Sequence, residues 1–207
     1  MAINKKKVIL VEGEDELYFF IRLLNYKSIN DIFIESFKGK DNLTNHIKTL
    51  INRDGFDDVT SIVIFRDSED SAKTSIDSIN YSLRITGLIT TDIKPFTMNV
   101  QNNRKTGFGL FPGVDEDGNL YDTGTLEHLC LRLFKENANN ILIKNYLDDF
   151  QSKNGKFKCI HKNELHTLFS FTDKYVGSKI GEAANKGGFN FDSPFLLPFI
   201  EMINKME

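Results

Sequence analysis

The chain has no tryptophan, two cysteines and four prolines among 207 residues, and each shortage closes off a class of protein. Cys130 and Cys159 stand alone, without the paired spacing of a disulfide framework or a cysteine-ligated zinc site, so both are expected as buried thiols. No long apolar run is present: Lys5, Lys6 and Lys7 precede only Val8 to Val11, too short for a membrane span or a signal-peptide apolar region. The expectation is a cytoplasmic protein with no membrane partner. With 40% hydrophobic and 27% charged residues and no low-complexity tract, the composition is that of a folded globular chain. A net charge of −3 excludes coating nucleic acid by charge alone, so any such contact has to be local or metal-mediated. What is plentiful is phenylalanine, 18 residues, a side chain that fills cores without needing a hydrogen-bond partner.

Apolar periodicity orders the chain. Lys7 to Val11 reads as a buried strand, and Asp15 to Asn25 as a helix carrying Leu17, Phe20, Ile21 and Leu24 on one face. Ile32 to Phe37 and Asn42 to Ile51 repeat the strand-then-helix unit. Ser61 to Phe65 with Ser71 to Leu88 repeats it again. Such βαβαβα alternation predicts a mostly parallel α/β sheet flanked by helices on both faces. Strands at Lys94 to Val100 and Gly107 to Phe111, separated by a polar turn from Gln101 to Thr106, would extend it. A helix from Thr125 to Glu136 follows, then helical segments around Asn140 to Phe150, Asn163 to Phe171 and Pro194 to Met206, with glycines 177, 181, 187 and 188 read as turns. The division expected is an α/β core over 1–125 and a mainly helical extension over 126–207, packed as one unit.

Two stretches carry chemistry. Val11-Glu12-Gly13-Glu14-Asp15-Glu16 runs a strand into a turn of carboxylates, and Arg66-Asp67-Ser68-Glu69-Asp70 does the same after the third strand. Open α/β sheets place ligands at the carboxyl ends of their strands, where acids gathered without basic partners ask for a divalent cation. Asp15 and Glu16 have a plainer role available, complementing the dipole of the helix they begin. Glu12, ending an apolar strand, is costly there unless solvated, hydrogen-bonded or metal-bound. In the second stretch Asp70 or Ser71 can cap a helix, which accounts for one acid of three. Asp67 and Glu69 can offer oxygens in one direction if the turn is extended. Arg66 can neutralise these acids in place of a metal or hold a substrate phosphate.

These residues resemble the Toprim catalytic domain of topoisomerases, primases and overcoming-lysogenization-defect nucleases. The resemblance is closer still to a prokaryotic Toprim-related family of unknown function. Its blocks are matched by Arg66 to Asp70, the Gly107 to Pro112 strand, Gly124-Thr125-Leu126-Glu127 and Ile180-Gly181-Glu182-Ala183-Ala184. The resemblance implies a Toprim-like, mostly parallel sheet. It also implies Glu12 as general base or metal ligand, with Glu16 as a second catalytic candidate. Asp67 with Glu69 would be the Mg²⁺ or Mn²⁺ pair. The usual second acid of that pair is aspartate, a place Asp70 can take, and Glu127 is a further candidate ligand. The function implied is Mg²⁺-dependent phosphodiester hydrolysis or phosphotransfer on DNA or RNA. The alternatives are a non-catalytic binding or regulatory module acting with a separate ATPase, since no ATPase motif is present, and hydrolysis of a small phosphate ester.

Other motifs fail. In Asp115-Glu116-Asp117-Gly118-Asn119, aligning Gly118 with the calcium-loop glycine leaves glycines at the first and last ligand positions. Gly39-Lys40-Asp41 lacks P-loop spacing, and Gly107-Phe108-Gly109 lacks a strand-to-helix setting. His161 and His166, five apart, do not share a helix face as a zinc pair would, and read as surface or packing residues. The lysines from Lys153 to Lys186, interleaved with Phe157, Phe169, Phe171 and Tyr175, fit either a strand-binding face or a solvated rim over an aromatic core.

Overall fold

A computed structural model describes residues 2–134 and 140–207 of the chain. Strands β1 (Lys7–Val11), β2 (Ile32–Ser36), β3 (Ser61–Asp67), β4 (Met98–Gln101) and β5 (Arg104–Phe111) form one sheet in the order β2-β1-β3-β5-β4. β2, β1, β3 and β5 are mutually parallel, and β4 joins the edge antiparallel to β5. The α/β architecture expected from the alternation is therefore present. The turn between the last two strands is shorter than the polar run suggested. Asn102 and Asn103, with φ of 51° and 60°, make the whole connection, as a two-residue hairpin requires.

Alternation along each strand divides the core. Val8, Leu10, Ile62, Ile64, Phe108 and Leu110 face α2 (Leu43–Ile51) and α3 (Ala72–Ile85). Ile9, Val11, Val63, Phe65 and Phe111 face α1 (Glu14–Tyr26) and the helices that follow the sheet. Those are α4 (Leu126–Leu133), α5 (Asn140–Asn154), α6 (Ile160–Ser170), α7 (Ile180–Asn185) and α8 (Leu197–Asn204). Residues from both sides of position 126 thus share a single cluster with β1 and β3. Residues 135 and 136, expected at the end of a helix, lie outside the described residues.

Several boundaries move for physical reasons. β3 runs two residues beyond the apolar stretch because Arg66 and Asp67 pair with Leu110 and Phe111. Both are therefore strand residues rather than the start of a turn, and on neighbouring positions they point to opposite faces. Gly181 is not a turn residue. It lies inside α7, where a Cβ would come 2.3 Å from Tyr18 Cβ, and its bare backbone lets α7 lie against α1. Cys130 is buried as expected, but Cys159 is exposed just before α6. Phenylalanine does fill the core: Phe19, Phe20, Phe65, Phe111 and Phe199 lie in the cluster between the sheet and the later helices. No helix among the described residues is long and apolar enough to cross a membrane.

Candidate functional site

The carboxyl ends of β1, β2 and β3 open onto a cavity of about 1130 Å³. Glu12, Glu16, Asp67 and Glu127 line it together, so stretches more than a hundred residues apart in sequence meet there. Backbone hydrogen bonds fix the geometry. The Glu12 carbonyl accepts from Gly39 N–H at 2.9 Å and from the Ser36 hydroxyl at 3.1 Å, tying the end of β1 to the loop after β2. Gly13 is extended at φ −131°. It serves here by leaving room, since a Cβ would fall 2.7 Å from the Glu16 carboxylate.

Glu127 reaches the cavity through Asp67. The Asp67 Oδ1 accepts from the Leu126 N–H at 2.9 Å and so holds the start of α4 against the end of β3. A second staple lies one turn away, where Glu69 and Gly124 exchange backbone hydrogen bonds of 2.9 Å in both directions. Gly124 has φ +139°, and a Cβ there would lie 2.5 Å from Pro112 Cδ. Gly124→Ala is therefore expected to cost roughly 1–3 kcal/mol and to loosen the Glu69 staple. Urea unfolding measures the loss, and unchanged stability would contradict this account of the loop.

The acids fall into two groups. Glu16, only 8% exposed, is pushed up to about 7 by burial, reinforced by the charges of Glu12, Glu127 and Asp15. Asp67 is driven well above the ordinary carboxylate range by burial and by Glu16, Glu12 and Glu127. Glu127 moves the other way, because the Thr125 hydroxyl, its own backbone and Lys162 outweigh its burial. Lys162 Nζ stands 3.4 Å from Glu127 Oε1. Glu12 is raised too, with a cation opposing the rise. Burial raises it, while Arg66, whose Nε lies 3.4 Å from its Oε2, pulls against that rise. Those two atoms are within ion-pair range but misaligned for a hydrogen bond, and both are buried without another partner. Arg66 also donates to Ser78 Oγ at 3.0 Å, so its guanidinium is anchored from α3.

Glu69 and Asp70 are set apart from the first group. Glu69 lies 3.7 Å from Lys40. Both acids line an adjoining cavity of about 520 Å³, into which Asp67 and Glu127 also open, rather than the larger one. Asp67 and Glu69 share that smaller cavity, with the backbone turning between them: the strand continues through Asp67, and Glu69 follows in the left-handed region at φ 56°. The cap of α3 is Ser71, whose Oγ accepts from Thr74 N–H at 3.4 Å. Among the described residues no three His, Cys, Asp or Glu side chains already close around a point where an ion would sit. The donor chemistry of Glu12, Glu16, Asp67 and Glu127, all carboxylate oxygen, nevertheless suits a hard divalent cation such as Mg²⁺ or Mn²⁺.

Neighbours complete the site, some of them, Lys162, Lys179 and His166, noted in the sequence without a link to the acids. Lys162, His166, Lys179, Asn185, Tyr18 and Arg22 also line the larger cavity. Glu14, Tyr18 and Arg22, four residues apart in α1, share its cavity face, a stripe visible in the sequence once the cavity is known. His161, expected as a surface or packing residue, lies against His128 with ring centroids 3.6 Å apart and the rings tilted by 41°, while His166 packs edge-on against Phe169. His128 Nδ1 accepts from Thr125 N–H at 3.1 Å, and burial with His161 close by lowers its pKa to about 4. The Asp115 loop closes on itself, Oδ1 accepting from Asp117 N–H at 3.0 Å and Asn119 N–H at 2.7 Å.

A mostly parallel α/β sheet with an acidic cleft at its carboxyl edge defines the class. The chain belongs to the family described as protein of unknown function DUF3226, whose match spans residues 6–207. No curated protein matches it. Among solved structures it is similar to the C-terminal region of the Xanthomonas campestris pv. campestris OLD protein phased with iodine, at 14% identity and TM-score 0.49, covering 99% of this chain and 97% of that one. The same region phased with mercury gives 10% identity and TM-score 0.47, covering 99% and 97%. A hypothetical protein from Pyrococcus horikoshii OT3 gives 14% and TM-score 0.46, covering 98% and 93%.

Proposed function

We propose that the chain is a divalent-cation-dependent phosphodiester hydrolase or phosphotransferase of Toprim type, acting on DNA or RNA. The observation that carries this reading is the meeting of Glu12, Glu16, Asp67 and Glu127 in one cavity at the sheet's carboxyl edge, two of them forced far from their ordinary ionisation. Strongly perturbed acids in a cleft are a mark of function, because a fold concentrates like charge at a cost only where something of opposite charge offsets it. Glu16, Asp67 and Glu127 would hold Mg²⁺ or Mn²⁺, with Glu12 beside them. When bound, such an ion supplies charge neutralisation at the phosphoryl oxygens of the substrate. Glu12, its pKa raised by burial, holds a proton at Oε more readily than a surface glutamate, which suits a general base. Arg66 fixes where Glu12 points, and Lys162 fixes Glu127.

Incubating the purified chain with DNA and RNA in Mg²⁺ or Mn²⁺ tests the proposal. Cleavage is expected, and Asp67→Asn is expected to lower it by a factor of about 10² or more. No cleavage of any substrate, or cleavage undiminished in both Asp67→Asn and Glu12→Gln, would falsify the catalytic reading. A second reading is supported by the cations already seated on Glu12, Glu69 and Glu127. In it the cleft is a binding or regulatory module whose activity comes from a separate ATPase partner. Calorimetry separates the two, since that reading expects no Mg²⁺ or Mn²⁺ binding to the isolated chain.

A further inference from the structure

The cations around the large cavity are unequally engaged. Arg66, Lys40 and Lys162 each sit beside an acid. Arg22 does not. It is half-buried on α1 and lines the cavity, its Nε is shielded from solvent without a hydrogen-bond partner, and no acid pairs with it among the described residues. A guanidinium held partly out of water and left unpaired is unfavourable for the chain alone. Its planar fork matches a phosphate. Lys38, in the loop after β2, and Lys179, just before α7, line the same cavity, and no side-chain ion pair engages either among the described residues. One turn before Arg22, Tyr18 is half exposed and lines the cavity as well. An aromatic face and a cation four residues apart on one helix make the pairing that single strands use, a ring for a base and a charge for the neighbouring phosphate.

We infer that Tyr18 and Arg22 form a subsite for single-stranded nucleic acid on the α1 wall of the cavity, Arg22 taking a phosphate and Tyr18 the adjoining base. This rests on the proposed phosphodiester chemistry and adds to it the class of substrate: a strand with at least one further phosphate beyond the reacting one. The cavity has room for that, since about 1130 Å³ exceeds the volume of most small-molecule sites. Arg22 and Tyr18 bind and place the strand while the acids line the same cavity.

Fluorescence anisotropy of an end-labelled oligothymidylate of about 12 nucleotides, in EDTA, tests the subsite apart from any cation chemistry, with a length spanning the site sizes usual for such grooves. Arg22→Gln is expected to weaken binding several-fold and to flatten the dependence of log K on log salt by about one phosphate contact. Tyr18→Leu is expected to weaken it about tenfold, the effect of losing one stacked base. Arg22→Lys should retain part of the charge contribution, and Lys48→Gln, at the far end of α2, should bind as the parent does. Absence of binding by the parent, equal binding by Arg22→Gln, equal losses in the Lys and Gln variants, or full competition by inorganic pyrophosphate at matched concentration would each overturn the inference. Binding in EDTA without cleavage in Mg²⁺ would leave this subsite standing while removing the catalytic reading.

Discussion

Glu16→Gln is expected to make the cation-free protein more stable at pH 8, by about 3 kcal/mol, while lowering cation-dependent cleavage. The sign follows from where the proton is held. The Glu16 carboxyl titrates at about 7 in the fold against an ordinary 4.5, so the folded state keeps its proton longer than the unfolded chain does. Below pH 4.5 both states are protonated and Glu16 costs nothing. Between 4.5 and 7 the unfolded chain releases its proton first, and stability falls as pH rises. Above 7 the full cost remains. Glutamine never ionises, so the variant should match the parent at pH 4 and exceed it at pH 8. Asp67, shifted in the same direction by burial and by Glu16 itself, adds to the parent's decline with pH. Mg²⁺ should recover stability for the parent at pH 8 in proportion to RT ln(1 + [L]/Kd), and less for the variant. Urea titrations at the two pH values, with and without Mg²⁺, make the measurement. Equal stabilities of parent and variant at pH 8 would show that Glu16 ionises freely and is no part of a strained acidic cluster.

How much of this was legible in the chain depends on how local its causes are. The strands β1, β2 and β3 announced themselves as apolar runs, and their alternation with helices fixed the parallel sheet because the crossover rule leaves few other topologies. The last two residues of β3 did not, since Arg66 and Asp67 look like loop and join the ladder only because β5 lies alongside. α7 was hidden by glycines that usually break helices; Gly181 is there because α1 passes within contact, which no local window contains. In the site, acids at strand ends were readable, as solvent-averse positions holding charge. The grouping was not. Asp67 and Glu69 do open onto one smaller cavity, but nothing local shows that the strand extends through Asp67 and brings it under the charges of Glu16, Glu12 and Glu127, or that Glu69 lies beside Lys40. Arg22 escaped, and Lys162 showed only as one of a basic run, because a lysine or arginine on a helix is ordinary until its partners, or its lack of them, are known.

The other large effect lies beneath the site. Phe199 of α8 is fully buried, its ring 5.2 Å from Phe111 in a stacked arrangement, 5.3 Å from Phe96 and 5.6 Å from Phe65. Removing it leaves a void against Phe65 and Phe111, which belong to strands and cannot collapse inward without bending the sheet, so Phe199→Ala is expected to cost about 3–5 kcal/mol. Phe199→Leu, which keeps most of the volume, should cost about 1.5 kcal/mol or less. Phe65 and Phe111 sit at the carboxyl ends of β3 and β5, where Asp67 pairs with Phe111 and the Ser68 N–H donates to the Phe111 carbonyl at 3.1 Å. Slack under those two residues is slack under Asp67, and through its hydrogen bond to Leu126 it reaches the start of α4 and Glu127. Phe199→Ala should therefore also weaken Mg²⁺ binding measured by calorimetry under conditions where the variant is still folded, and Phe199→Leu should largely spare it. A urea midpoint shifted by less than about 1 kcal/mol of stability, with m unchanged, would mean the aromatic cluster relaxes around the loss and does not brace the acidic edge.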